Sequence, residues 1–144
     1  MNGKIILLVE DNPDDEALAV RALERSGIHH ELVIARDGVE ALDYLLGTGA
    51  YANQGSRIPP SLVMLDLKLP KVDGLEVLGK IRATEPTRTI PVVVFTSSNE
   101  ANDILQSYQL GANSYIRKPV DFAHFSEAVR QVGTYWLNLN LTPF

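Results

Sequence analysis

The stretch Ser61 to Gly74, SLVMLDLKLPKVDG, constrains the fold of this chain more than any other. Its first half, Leu62 to Leu65, is a continuous apolar run. A run of that length suits a strand buried on both faces of a parallel sheet. It ends on one carboxylate, Asp66; Pro70 then forbids further sheet pairing, and Asp73-Gly74 opens a helix. Asp66 therefore stands at the carboxyl end of a central strand, the edge of an open α/β sheet where ligands bind.

The rest of the chain repeats this unit. Lys4 to Val9 is a second apolar run, ending on Glu10-Asp11. Asn12 is placed as an N-cap with Pro13 at the first helical position, and Asp14 and Asp15 suit the positive helix end. That helix is predicted to reach about Ser26. Glu31 to Ala35 reads as a short strand near a sheet edge, and Asp37-Gly38 opens a second helix. Thr48 to Pro60 reads as an exposed loop, rich in Gly, Asn, Ser and Pro. A third helix carries Leu75, Leu78 and Ile81. Pro91 to Phe95 is a buried strand ending on Thr96-Ser97-Ser98. A fourth helix, about Asn99 to Leu110, has Ala101, Ile104, Leu105 and Tyr108 at one-face spacing. Ser114 to Arg117 is a last strand, ending on Lys118-Pro119. A final helix is predicted from Asp121 to Leu139. Its end, with Tyr135, Trp136, Leu137 and Leu139, would overhang the sheet, and Leu141 and Phe144 extend it.

Strand and helix thus alternate five times. This predicts an α/β fold: a doubly wound, five-stranded parallel sheet of flavodoxin-like type, strand order 2-1-3-4-5, in one domain over residues 1–144. Net charge is -5, which argues against a general nucleic-acid or membrane surface. There is no cysteine, hence no disulfide, thiolate metal site or cysteine nucleophile.

The strand ends supply the chemistry. Glu10, Asp11, Asp66, Thr96 and Lys118 are all brought to one sheet edge. Each has a plain structural explanation alone, as a cap, a strand end or a solvated base; together on one edge they point to a site. Carboxylates about 4 Å apart repel by roughly 1 to 4 kcal/mol per pair, a cost a divalent cation removes. Oxygen ligands without imidazole or thiolate favour magnesium, and manganese can substitute. Asp66 could then attack phosphorus, with Lys118 and the Thr96 hydroxyl facing the phosphoryl oxygens.

The segments VEDNPDD, LDLKLPKVDG, PVVVFTSS and GANSYIRKP, in this order, resemble the receiver domains of two-component response regulators. The resemblance covers essentially the whole chain. It implies that Asp66 accepts a phosphoryl group from a phosphohistidine of a sensor histidine kinase. It implies metal ligation by Asp11, Asp66 and the backbone carbonyl of Lys68, with Glu10 acting through water. It makes Thr96 and Lys118 the phosphoryl-sensing hydroxyl and lysine, Tyr115 an aromatic that swings inward on activation, and Lys118-Pro119 a cis bond. Glu10 stands where many members have aspartate, and Lys68 and Ser98 occupy positions that tune acyl-phosphate lifetime. The Tyr51 to Pro60 insertion and the WLNLNL ending resemble the small response regulators of cyanobacterial phytochromes.

The resulting expectation is a stand-alone, cytoplasmic receiver, not an enzyme, that signals through an unknown downstream partner. A homodimer through the fourth and last helices, with Tyr108, Trp136 and Leu139 in the interface, completes it. Two alternatives come from other classes. An aspartate-nucleophile phosphatase or phosphotransferase would want a second acid near Asp66, but Lys68 stands two residues on. A flavodoxin-like cofactor module would want a Ser/Thr/Gly-rich phosphate loop where EDNPDD stands.

Overall fold

The computed structural model describes residues 4–53 and 58–144. Five parallel strands, β1 (Lys4–Val9), β2 (His30–Ala35), β3 (Leu62–Leu65), β4 (Val92–Thr96) and β5 (Ser114–Arg117), form one sheet in the order β2-β1-β3-β4-β5. The helices are α1 (Pro13–Arg25), α2 (Gly38–Leu46), α3 (Gly74–Ala83), α4 (Ala101–Gln109) and α5 (Phe122–Thr134).

The period-two geometry of a strand divides the core into two layers. Ile6, Leu8, Leu62, Met64, Val93 and Phe95 face one way and meet α1 and α5. Leu7, Val9, Val63, Leu65 and Val92 face the other way and meet α2 and α3. β1, β3 and β4, covered on both faces, are buried almost throughout, which is why they carry no polar alternation. β2 and β5 lie at the edges and are only partly buried.

Side-chain caps set the starts of four helices. Asn12 accepts from the amides of Asp14 and Asp15, Asp37 from Glu40, Asp73 from Glu76, and Asp121 from His124. Glu100, at the start of α4, caps nothing with its side chain.

The structure corrects or extends the sequence reading at five places. The Thr48–Pro60 loop holds a 3-10 turn at Gly49–Tyr51, and Tyr51 packs edge-on against Tyr44 with centroids 5.1 Å apart. Residues 54–57 of that loop, and residues 1–3, lie outside the described residues. In α4 the one-face apolar stripe is turned outward: Leu105 and Tyr108 are 55% and 50% exposed, and the inward position is taken by Ser107. The last helix is not one regular helix. α5 ends at Thr134 and Tyr135–Leu139 continues as a π-helical turn, which changes the angular step. Leu137 is thereby buried and Trp136 packs on the core, so the predicted overhang shrinks to Tyr135, Leu139 and the tail. Phe122 is exposed, because Asp121, capping α5, places it on the outer side of the first turn. Finally, the Lys118–Pro119 bond is trans, as are all peptide bonds among the described residues. The lysine still reaches the strand ends, because three carboxylates gather around its ammonium.

Candidate functional site

Three residues of the site are anchored by a sheet hydrogen bond just past a strand end. The amide of Glu10 donates to the Ala35 carbonyl at 2.9 Å, that of Asp66 to Val9 at 3.1 Å, and that of Lys118 to Thr96 at 2.7 Å. The ladder therefore fixes where these side chains start. Gly74 makes room behind them: a Cβ there would sit 2.3 Å from the Asp66 carbonyl oxygen, so only glycine lets α3 begin against the β3 end. The loop between contains Lys71 at φ 70°, with its ammonium 3.4 Å from the Asp37 carboxylate.

The side chains converge. Thr96 Oγ1 donates to Asp66 Oδ1 at 2.8 Å. Lys118 Nζ lies 2.8 Å from Glu10 Oε1, 2.8 Å from Asp15 Oδ2 and 3.0 Å from Asp66 Oδ2. The Lys68 amide is 3.3 Å from Asp66 Oδ1. Glu10, Asp66, Thr96 and Lys118 are buried, whereas Asp11 is exposed at the mouth of an open cleft of about 520 Å³.

One ammonium cannot neutralise so many acids. Burial pushes the Glu10 carboxyl up to about 7, despite its hydrogen bond with Lys118. Burial pulls Lys118 down, but the hydrogen bonds to Asp15 and Glu10 and the charge of Asp66 outweigh it, so its pKa is raised and it stays charged. Glu10, Asp11 and Asp66 each offer an oxygen, all within 4.8 Å of one another. This all-oxygen, charge-rich set fits a hard divalent cation.

The structure thus brings together Glu10, Asp11, Asp66, Lys68, Thr96 and Lys118. Tyr115 stands aside in β5, partly buried, its hydroxyl donating to the Ser98 carbonyl at 2.9 Å. Tyr108, Trp136 and Leu139 lie on α4 and the C-terminal turn. Asp15 was missed by sequence reasoning, which saw in it only a helix-dipole residue. Its position one turn into a helix that starts beside the Glu10-Asp11 pair was the available signal.

Three comparisons bear on this arrangement. The family profile described as response regulator receiver domain matches residues 6–130. The probable methanogenesis regulatory protein FilR2 of Methanothrix harundinacea is 46% identical over 140 residues, covering 96% of this chain and 87% of that protein. Response regulator Rcp1 of Synechocystis is 40% identical over 140 residues, 97% of this chain and 93% of that one. The Mn(2+)-bound crystal structure of Rcp1 superposes with a TM-score of 0.90 over 98% of this chain and 99% of its own. The phosphorylated cyanobacterial phytochrome response regulator RcpA gives a TM-score of 0.92 at 42% identity, over 99% of this chain and 100% of its own. With its 2-1-3-4-5 sheet, its strand-end acids and these relatives, the chain belongs to the response regulator receiver domain family.

Proposed function

We propose that Asp66 is the phosphoacceptor of a stoichiometric two-component switch, charged by a phosphohistidine of a sensor histidine kinase. The observation that carries this reading is the Asp66 carboxylate itself. It is buried, with one oxygen on the Thr96 hydroxyl and the other on the Lys118 ammonium, beside Glu10 and Asp11. An Asp66 oxygen attacks phosphorus, the P–N bond breaks, and the electron pair returns to the leaving imidazole. Lys118 then balances a phosphoryl oxygen, and the Thr96 hydroxyl turns from Asp66 to another. Glu10, Asp11, Asp66 and the Lys68 carbonyl would hold magnesium, for which manganese can substitute. When bound, that ion supplies the charge that lets an anionic donor approach the acids.

The Thr96 movement frees space beside β5 that the Tyr115 ring can enter, giving up its bond to Ser98. The kinase belongs to the phytochrome class, a reading supported by the likeness to RcpA over nearly the whole chain. Residues 1–144 act as one cytoplasmic receiver unit that pairs as a homodimer through α4, β5 and the C-terminal turn and passes its signal to a downstream partner.

Incubation with magnesium and acetyl phosphate tests the core of this reading. One acid-labile phosphoryl group should be added to the wild type and none to Asp66→Asn, and chelation should stop the reaction. Steady release of phosphate from small esters would instead favour a phosphatase.

A further inference from the structure

Lys118 has three ammonium hydrogens and three carboxylate acceptors: Asp15 at 2.8 Å, Glu10 at 2.8 Å and Asp66 at 3.0 Å. Two of the three have other obligations. Glu10 and Asp66 belong to the clustered acids that fit a cation, and Asp66 is the group to be phosphorylated. Asp15 is outside that cluster. It is the one partner of Lys118 that neither event takes away.

Its own position is well fixed. Asn12 accepts from the Asp15 amide at 3.1 Å and Pro13 begins the helix, so the first turn of α1 is rigid where Asp15 leaves it. α1 in turn packs beside α5 on the same face of the sheet, and α5 begins just after Lys118. A lysine side chain has four rotatable methylenes and no preferred direction of its own. Once Asp66 is phosphorylated to an acyl phosphate, the negative charge moves outward along the new O–P bond and the ammonium must follow it without swinging into water.

We propose that Asp15 is a positioning residue: it tethers the Lys118 ammonium from α1, so that Lys118 stays aimed at the phosphoryl group before and after transfer to Asp66. The role rests on the phosphoacceptor reading for its consequence, but the tether itself does not. Asp15 also adds negative charge at the mouth, where its carboxylate is 26% exposed. Asparagine separates the two effects, since it keeps an acceptor oxygen and drops the charge.

The test has two arms. In lysine-labelled protein without any phosphodonor, NMR follows solvent exchange of the Lys118 ammonium hydrogens. Exchange should be slow in wild type and Asp15→Asn, and at least about tenfold faster in Asp15→Ala, the loss expected for one charge-assisted hydrogen bond. In the second arm, phosphorylation by acetyl phosphate with magnesium is followed to saturation. Asp15→Ala should lower the maximal rate about tenfold with little change in the half-saturating donor concentration, and Asp15→Asn should recover most of it. Asp14→Ala removes the same charge from the same turn and should stay within about twofold of wild type, because Asp14 forms no ion pair with a lysine among the described residues. In a Lys118→Ala background, Asp15→Ala should add nothing.

Unchanged Lys118 exchange in Asp15→Ala overturns the tether. So does a fall in rate as large in the Lys118→Ala background as in wild type. A wild type that takes up no phosphoryl group refutes the phosphoacceptor reading instead, and the exchange arm then decides the tether alone.

Discussion

Asp66 is held among like charges, and that has a cost the free protein must carry. Glu10, Asp11 and Asp66 share one site, and Lys118 is their only close cation among the described residues. Without a metal, Asp66→Asn should therefore stabilise the fold by about 1 kcal/mol, seen as a Tm rise of roughly 2 to 4 °C in chelator. Saturating magnesium should reverse the order, since the wild type then has the better ligand set. A Tm for Asp66→Asn below wild type in chelator would contradict this. Glu10 gives a second handle. Its folded pKa of about 7 lies above the ordinary 4.5, so between these values the unfolded chain loses a proton that the folded one keeps. The raised group's contribution to stability is complete below 4.5 and is lost as pH rises through about 7. Metal binding should show the opposite trend, because it requires the carboxylate. Magnesium affinity should climb from about pH 6 to about pH 8 and then level off, with proton release at the lower end. Calorimetry in buffers of different ionisation enthalpy checks it; a flat profile would exclude Glu10 from the metal side. Most of these residues were legible in the sequence because strand ends are marked by abrupt changes from apolar to polar. Asp15 was not, because a helix-start acid has an adequate local reason to exist and its contact with Lys118 spans 103 residues.

At the scale of elements, α4 stands apart. The other four helices are capped by a side chain; α4 is not. Ser98 instead accepts from the Glu100 amide at 3.2 Å and donates to Asp103 at 2.6 Å, tying the preceding loop to the first turn of α4 from outside the cap position. The one residue of α4 that is fully buried, Ser107, has a hydroxyl with no hydrogen-bond partner among the described residues. An unsatisfied buried hydroxyl costs on the order of 1 to 3 kcal/mol. Ser107→Ala should therefore stabilise the protein by about 1 kcal/mol in urea melts and slow amide exchange within α4. Destabilisation would mean that the hydroxyl has a partner in solution. Periodicity marks the apolar stripe of this element but not which way the stripe faces. Leu105 and Tyr108 share a face, but that face is left to water while Ser107 turns inward. The same limit applies after Thr134: a helical repeat carried past that point assumes a constant angular step, and the π turn breaks it, burying Leu137.

For the whole molecule, the doubly wound topology followed directly from five alternations of strand and helix. What that pattern could not supply is the surface left over once both sheet faces are covered. Leu105 and Tyr108 on α4, Tyr135 and Leu139 on the C-terminal turn, and Leu141 and Phe144 beyond it remain exposed. Because Trp136 packs on the core, Tyr108→Ala with Leu139→Ala probes the proposed dimer more cleanly than any change at Trp136. Sedimentation at tens of micromolar should show a dimer for the wild type that this pair of changes weakens at least about tenfold. A wild type that stays monomeric with and without phosphodonor would rule the dimer out. The phosphoacceptor proposal turns on a single group, Asp66. Borohydride reduces an acyl phosphate to an alcohol, so trapping after acetyl phosphate treatment marks the acceptor covalently. Peptide mass spectrometry should then find homoserine at position 66, dependent on magnesium, with Glu10, Asp11 and Asp15 unchanged. Homoserine at position 11 or 15, or a trapped product that persists in Asp66→Asn, would exclude Asp66 as the acceptor.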